Sequence, residues 1–161
     1  MSPVLVHLFL LIVLANGAPI LAHNLLGNKA DYPIDAHLRF LDQRPLFGHS
    51  KTWRGLIASL LLTSLLAWLL GYSVQTGLLI ALAAMCGDLL TSFIKRRLNM
   101  PSSSMAPLFD QVAESLFPAL AVMQLFALTP LNIILLVLAF ILFDLLLSRL
   151  LHRIGLRRRP Y

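Results

Sequence analysis

Five long apolar runs dominate this chain: residues 3–23, 55–72, 77–95, 112–129 and 131–151. A helix that crosses a hydrocarbon core of ~30 Å needs about 20 mostly apolar residues, at ~1.5 Å each. The runs at 77–95 and 131–151 are the clearest, and Pro118 and Gln124 interrupt the fourth. Composition agrees. Hydrophobic residues fill 58% of the 161 positions and charged residues only 12%, against roughly 45–50% and about 25% in a soluble domain. Disorder requires low hydrophobicity and is excluded by the same numbers. The lone Cys86 cannot close an intramolecular disulfide and is expected as a buried small residue. Segments alternating over ~10 residues, the mark of a membrane barrel, do not recur. The expected fold is therefore one all-α integral membrane domain over residues 1–161, with five transmembrane helices.

The charges orient it. Lys29, Arg39, Arg44, Lys51 and Arg54 lie between runs one and two. Lys95, Arg96 and Arg97 follow run three, and Arg149, Arg153, Arg157, Arg158 and Arg159 close the chain. The N-terminus and the two short links carry no basic residue. With five crossings all the basic segments fall on one side, which the positive-inside rule makes cytoplasmic. The N-terminus is then outside, the C-terminus inside, and the loops at about 24–54 and 96–111 are cytoplasmic. The net charge of +6 thus reads as topology and contact with anionic lipid headgroups, and no nucleic-acid partner is expected. Run one lacks a basic leader and is broken by Asn16, Pro19 and His23, so a retained helix is expected rather than a cleaved signal. Trp53 and Trp68 sit near helix ends, as interfacial anchors do.

Carboxylates inside apolar helices mark candidate sites, since each costs roughly 2.5–3.5 kcal/mol at the bilayer centre. Asp88, Ser92 and Lys95 are spaced to share one helix face, with Arg96 at its edge. That stripe fits a site, and equally a structural Asp paired with a cation from another helix. Asp144, with Ser148 four residues on, reads as a helix-packing group. The first cytoplasmic loop is too long for a plain connector and holds Gly48, Lys51, Thr52, Arg54 and Gly55 together. This suits phosphate contact, although the P-loop pattern is absent. The second loop, rich in Pro101, Ser102, Ser103, Ser104 and Pro107, ends at Asp110-Gln111. Asp110 reads either as a helix cap or as a partner of Asp88 at a metal site. His7, His23, His37, His49 and His152 are scattered, so no zinc site is expected. Hard oxygen ligands point to Mg²⁺, which takes one or two carboxylates and completes its shell with phosphates and water. An intramembrane carboxylate beside a cationic rim fits phosphoryl or nucleotidyl transfer to a lipid headgroup.

Three blocks carry a family resemblance: Phe47-Gly48-His49-Ser50-Lys51-Thr52-Trp53-Arg54-Gly55, Gly87-Asp88 through Ser92-Phe93-Ile94-Lys95-Arg96-Arg97, and Asp110-Gln111. Ala15-Asn16-x-x-Pro19 and Pro33-Ile34-Asp35 add weaker support. In order, over roughly residues 15–125, they resemble the CDP-archaeol synthase family, small relatives of the phosphatidate cytidylyltransferases. The resemblance implies CMP transfer from CTP to a lipid phosphate with release of pyrophosphate and Mg²⁺ as cofactor. Asp88 and Asp110 match the acidic metal positions, and with Lys95 they form the implied catalytic set. Lys51, Thr52, Arg54, Ser92, Arg96, Arg97, Gln111 and Asn16 are implied to bind substrate.

The chain departs from the family where Asp-Gln-x-Asp is usual. Ala113 holds the last place and Glu114 is the nearest acid. The Asp-Gly-Arg-like stretch reads Asp42-Gln43-Arg44, and the His-Gly-Gly of larger relatives is missing. Unsaturated archaeol phosphate, phosphatidate and another lipid phosphate all remain open as acceptors. A non-enzymatic membrane scaffold or transporter subunit is the alternative reading, but it leaves the crowded first loop unexplained. A CDP-alcohol phosphotransferase ranks lower, because that family's Asp-x-x-x-Asp following an Asp-Gly block is missing.

Overall fold

The computed structural model describes residues 3–153 apart from 28, 102, 103, 105 and 107, with side chains as far as Leu150. The expectations placed on Ser102, Ser103, Pro107, His152, Arg153 and the tail arginines Arg157, Arg158 and Arg159 lie outside the described residues or side chains. Five helices follow one another: α1 Pro3–Leu26, α2 Trp53–Leu69, α3 Val74–Arg97, α4 Phe109–Ala121 and α5 Pro130–Arg153. No strand occurs among the described residues, only isolated bridges Pro33–Thr52 and Arg39–Pro45.

Three helices are long and apolar enough to cross a membrane: Pro3–Leu26, Val74–Arg97 and Pro130–Leu150. The 17-residue α2 is apolar but shorter. The fourth run is not the helix its hydropathy suggested. α4 covers 13 residues, about 20 Å at ~1.5 Å each, and the chain turns from Val122 to Ala127. Pro118 lies inside α4. Having no amide hydrogen, it cannot bond to the Glu114 carbonyl four residues back, and Asn16 Nδ2 of α1 donates to that oxygen instead, at 3.3 Å. Pro19 does the same in α1, leaving the Ala15 carbonyl to Ser59 Oγ of α2 at 2.7 Å. Each proline-freed carbonyl therefore becomes a tie between helices.

Helix starts follow local chemistry. Thr52 Oγ1 accepts from the Gly55 amide at 3.2 Å and caps α2. Ser73 caps α3 in the same way through the Thr76 amide at 3.1 Å. Small residues let the helices close up. A Cβ on Gly77 would lie 2.5 Å from Ser64 Cα of α2, and one on Gly87 2.5 Å from the Ala113 carbonyl oxygen of α4.

The bundle has a dry half and a polar half. Leu5, Leu8, Leu11 and Ile12 of α1 pack with Ala67, Ile80, Ala119, Val122, Leu136 and Phe140. This core sits where α1, α3 and α5 begin and where α2 and α4 end. Toward the two long loops the same helices carry their polar residues inward. Outward, Leu61, Leu65, Leu82, Leu138, Leu142 and Leu146 stand exposed, an apolar surface far larger than a water-soluble monomer shows. Cys86 is exposed on that surface, against the buried position expected of it. It shares an outward stripe with Leu82 and Leu90, four residues to either side.

The first loop is folded. Asp35 is buried, and its Oδ2 accepts the amides of Phe47 and Gly48 at 3.0 and 2.9 Å. Its Oδ1 accepts the His37 amide at 3.1 Å. Burial alone would raise this carboxyl, but the three amides and the neighbouring His37 together outweigh it and hold it below its ordinary value. Gly48 adopts φ +95° at this turn, a region glycine enters without strain.

Candidate active site

The polar half encloses a cavity of about 810 Å³, lined from all five helices and both loops. Asn16 of α1, Lys51 and Thr52 of the first loop, Arg54 of α2, Asp88, Ser92, Lys95 and Arg96 of α3, and Asp110 and Gln111 of α4 all reach its wall. The i, i+4, i+7 stripe of α3 thus faces inward, with Ser92 and Lys95 buried.

Two ion pairs cross the cavity. Lys51 Nζ donates to both oxygens of Asp88, at 2.5 and 2.6 Å. Lys95 Nζ donates to Asp110 Oδ2 at 2.8 Å and to the Ser104 carbonyl at 3.0 Å. The first joins loop to α3 and the second α3 to α4, so both hold the loops against the bundle. Asp110 stands in the first turn of α4, where the helix dipole favours a carboxylate. Its Oδ2 also takes the Ala106 amide at 3.1 Å. Asp110 is not the cap: Leu108 precedes the helix, with its amide donating to Gln111 Oε1 at 2.7 Å.

Two expected phosphate contacts are engaged elsewhere. Arg97 is absent from the cavity wall and turns outward. It donates to Asp42 Oδ1 at 2.6 Å and lies over the rings of Phe40 and Phe93, 4.9 Å from each centroid. Successive helix residues point ~100° apart, so Lys95 and Arg96 take the inner arc and leave Arg97 outside. Arg54 touches the cavity, but both terminal nitrogens of its guanidinium are occupied. It donates to the carbonyls of Gly27 and Lys29 at 2.7 and 2.6 Å, to His23 Nδ1 at 2.9 Å and to Asp31 Oδ1 at 2.7 Å. It caps the C-terminal end of α1, where a cation is favoured.

Two further acids stand in the cavity: Asp144, and Glu114, the acid nearest the place that Ala113 holds. Asp144, expected as a packing group, accepts from Gln111 Nε2 at 2.8 Å. Glu114 is half-buried, one helical turn beyond Asp110, and among the described residues no ion pair or hydrogen bond reaches its carboxylate. Ala113 is buried, with its carbonyl packed against Gly87. The signal for Asp144 was its depth in an apolar helix. The signal for Glu114 was its i+4 spacing from Asp110.

The donor set fits a hard divalent cation. Asp110 Oδ1 and Asn16 Oδ1 are buried without a partner among the described residues, and Glu114 is free to ligate. No three of the described Asp, Glu, His and Cys side chains form a ready cage. A divalent ion held here would complete its shell with substrate phosphates and water.

Fold and site together define a helical membrane protein with a carboxylate-and-lysine cavity of the kind polyanionic substrates need. The profile of the CarS-like family, CDP-archaeol synthase, matches residues 4–161. The CDP-archaeol synthase of Pyrobaculum calidifontis is 41% identical over 130 residues, 76% of this chain and 76% of its own. That of Hyperthermus butylicus is 40% identical over 104 residues, 61% of this chain and 59% of its own length. A solved structure described as an intramembrane enzyme for archaeal membrane lipids biosynthesis aligns with a TM-score of 0.76 at 30% identity, covering 89% of this chain and 91% of that one. The chain belongs to the CDP-archaeol synthase family.

Proposed function

We propose that this protein transfers CMP from CTP to the phosphate of a membrane lipid, forming a CDP-lipid and pyrophosphate. The observation that carries this is one cavity lined by Asp88 and Asp110, each held by a lysine, and by Glu114, whose carboxylate has no ion pair or hydrogen bond among the described residues. A lipid-phosphate oxygen attacks the α-phosphorus of CTP, and the bond from that phosphorus to the oxygen bridging toward the β-phosphorus breaks. No enzyme nucleophile is needed. Mg²⁺ supplies charge neutralisation between the two anions, and Asp88, Asp110 and Glu114 are the residues that would hold it.

The lysines exchange partners. Lys51 and Lys95 leave their carboxylates for phosphate oxygens as the substrate enters, and Arg96, buried beside them, adds a third cation. Ser92 and Thr52 present hydroxyls to the same wall. Asn16 and Gln111 hold the cavity's helices together. Arg97 and Arg54 serve structure rather than phosphate contact.

The protein is multi-pass, and its charge distribution supports five crossings of a prokaryotic cytoplasmic membrane as one domain. The N-terminus is then outside and the cavity open to the cytoplasm. The name of the relatives makes unsaturated archaeol phosphate the first acceptor to test, with phosphatidate second. Membranes holding the protein should convert labelled CTP to a CDP-lipid when given Mg²⁺ and a lipid phosphate, and product mass identifies the lipid. Asp88→Asn and Asp110→Asn should each abolish conversion while the protein stays inserted. Full activity in both would reject the proposed site.

A further inference from the structure

The turn at residues 38–44 carries large apolar side chains outward: Leu41 is 91% exposed, Leu38 60% and Phe40 40%. A loop in water would gain nothing from this arrangement. Its position explains it. The turn is closed by the Phe40 amide donating to the Arg44 carbonyl at 2.8 Å and the Gln43 amide donating to the Phe40 carbonyl at 2.9 Å. It is fixed to the last turns of α3. Phe40 meets Phe93 edge to face at 5.3 Å, Arg97 lies over both rings, and Arg44 Nη1 donates to the Arg97 carbonyl at 2.5 Å.

Phe93 and Arg97 continue the outward stripe of α3 that runs through Leu82, Cys86 and Leu90, at helical spacings of four, four, three and four. The turn is therefore docked on the outer face of α3, the face that meets hydrocarbon, and not on the cavity side. Arg39 stands exposed beside the tip, placed as an arginine at a headgroup would be.

From this we infer that the tip of the first loop, Leu38, Phe40 and Leu41, dips into the bilayer leaflet on its own side, with Arg39 at anionic headgroups. Such interfacial insertion reaches ~5–10 Å below the headgroups. The apolar stripe of α3 and the tip form one continuous lipid-contacting surface. The loop that bears Lys51 is thereby anchored to the membrane as well as to α3. This depends on the membrane location of the chain and not on the reaction proposed for its cavity.

The test uses the full chain with Cys86→Ala, reconstituted in vesicles of an anionic phospholipid. An environment-sensitive fluorophore is attached at Leu41→Cys, at Leu38→Cys, or at His49→Cys on the exposed cavity rim. Chains brominated near their ester end should quench the Leu41 and Leu38 labels at least about twofold more than the His49 label, and aqueous iodide should do the reverse. Two tip positions are read so that a local disturbance at one does not decide the result. Iodide quenching at both tip positions equal to that at His49, with no response to bromine, would overturn the inference. So would equal bromine quenching at all three sites, which would place the whole loop in lipid rather than its tip.

Discussion

Two lysines line the cavity, each engaged by a carboxylate, and in the proposed reaction both turn to the phosphates of the substrate. Removing Lys51 leaves Asp88 uncompensated, so Lys51→Met should weaken nucleotide binding by about tenfold or more, measured by titration in detergent. Glu114 has the opposite problem, a half-buried carboxylate with no ion pair or hydrogen bond among the described residues. Glu114→Gln should lower the Mg²⁺ dependence of CTP binding, and Glu114→Asp should restore part of it; an unchanged metal requirement in Glu114→Gln would remove this residue from the site. Asp35 lies outside the cavity chemistry and governs the loop. Its carboxyl is held below its ordinary value, so the stability it contributes is present above the unfolded value. That contribution is lost as pH falls through the lowered folded value. Amide exchange at Phe47 and Gly48 should accelerate on acidification in that window. Asp35→Asn should show the fast exchange already at neutral pH, at a cost of ~1–3 kcal/mol. Of these residues, Lys51 and Asp88 were legible as chemistry in the sequence. That they are paired was not, because 37 positions separate them.

At the level of the helices, α3 is the spine. It packs on α2 through Gly77 and on α4 through Gly87, and a Cβ at either would meet backbone atoms at 2.5 Å. Gly87→Ala should therefore push α4 away beside Asp88, lowering thermal stability by ~1–3 kcal/mol and activity more steeply than Gly17→Ala, where a Cβ meets nothing within 4 Å. The proline-freed carbonyls give a sharper test. Ser59→Ala leaves the Ala15 carbonyl buried without a donor and should cost ~1–3 kcal/mol. Adding Pro19→Ala returns an amide to that carbonyl and should recover much of the loss. Strict additivity of the two changes in thermal unfolding would refute this account. The extent of α3 and α5 could be read from hydropathy, since both are apolar along their length. α4 could not: Pro118 and Gln124 interrupt the run 112–129, but hydropathy does not say where within it the helix stops.

For the whole molecule the decisive quantity is the charge balance of the cavity. Asp88, Asp110, Glu114 and Asp144 face Lys51, Lys95 and Arg96 at its heart, so a bare triphosphate enters a site with more carboxylates than free cations. Nucleotide and divalent ion should therefore bind cooperatively, each raising the other's affinity by the same factor, on the order of 5–150-fold. Calorimetric titration of CTP with and without Mg²⁺, and of Mg²⁺ with and without CTP, checks that equality. The sequence alone determined the five apolar runs, the absence of basic residues from the two short links and the shared helix face of Asp88, Ser92 and Lys95, because hydropathy and helical periodicity are local properties of the chain. The tertiary structure alone decided that Arg97 points outward, that Arg54 closes the end of α1, and that Asp144 and Glu114 join the cavity. Those outcomes depend on how each helix is rotated against neighbours distant in sequence, and that rotation is set by packing at contacts such as Gly77, Gly87 and Pro118 rather than by any pattern within one helix.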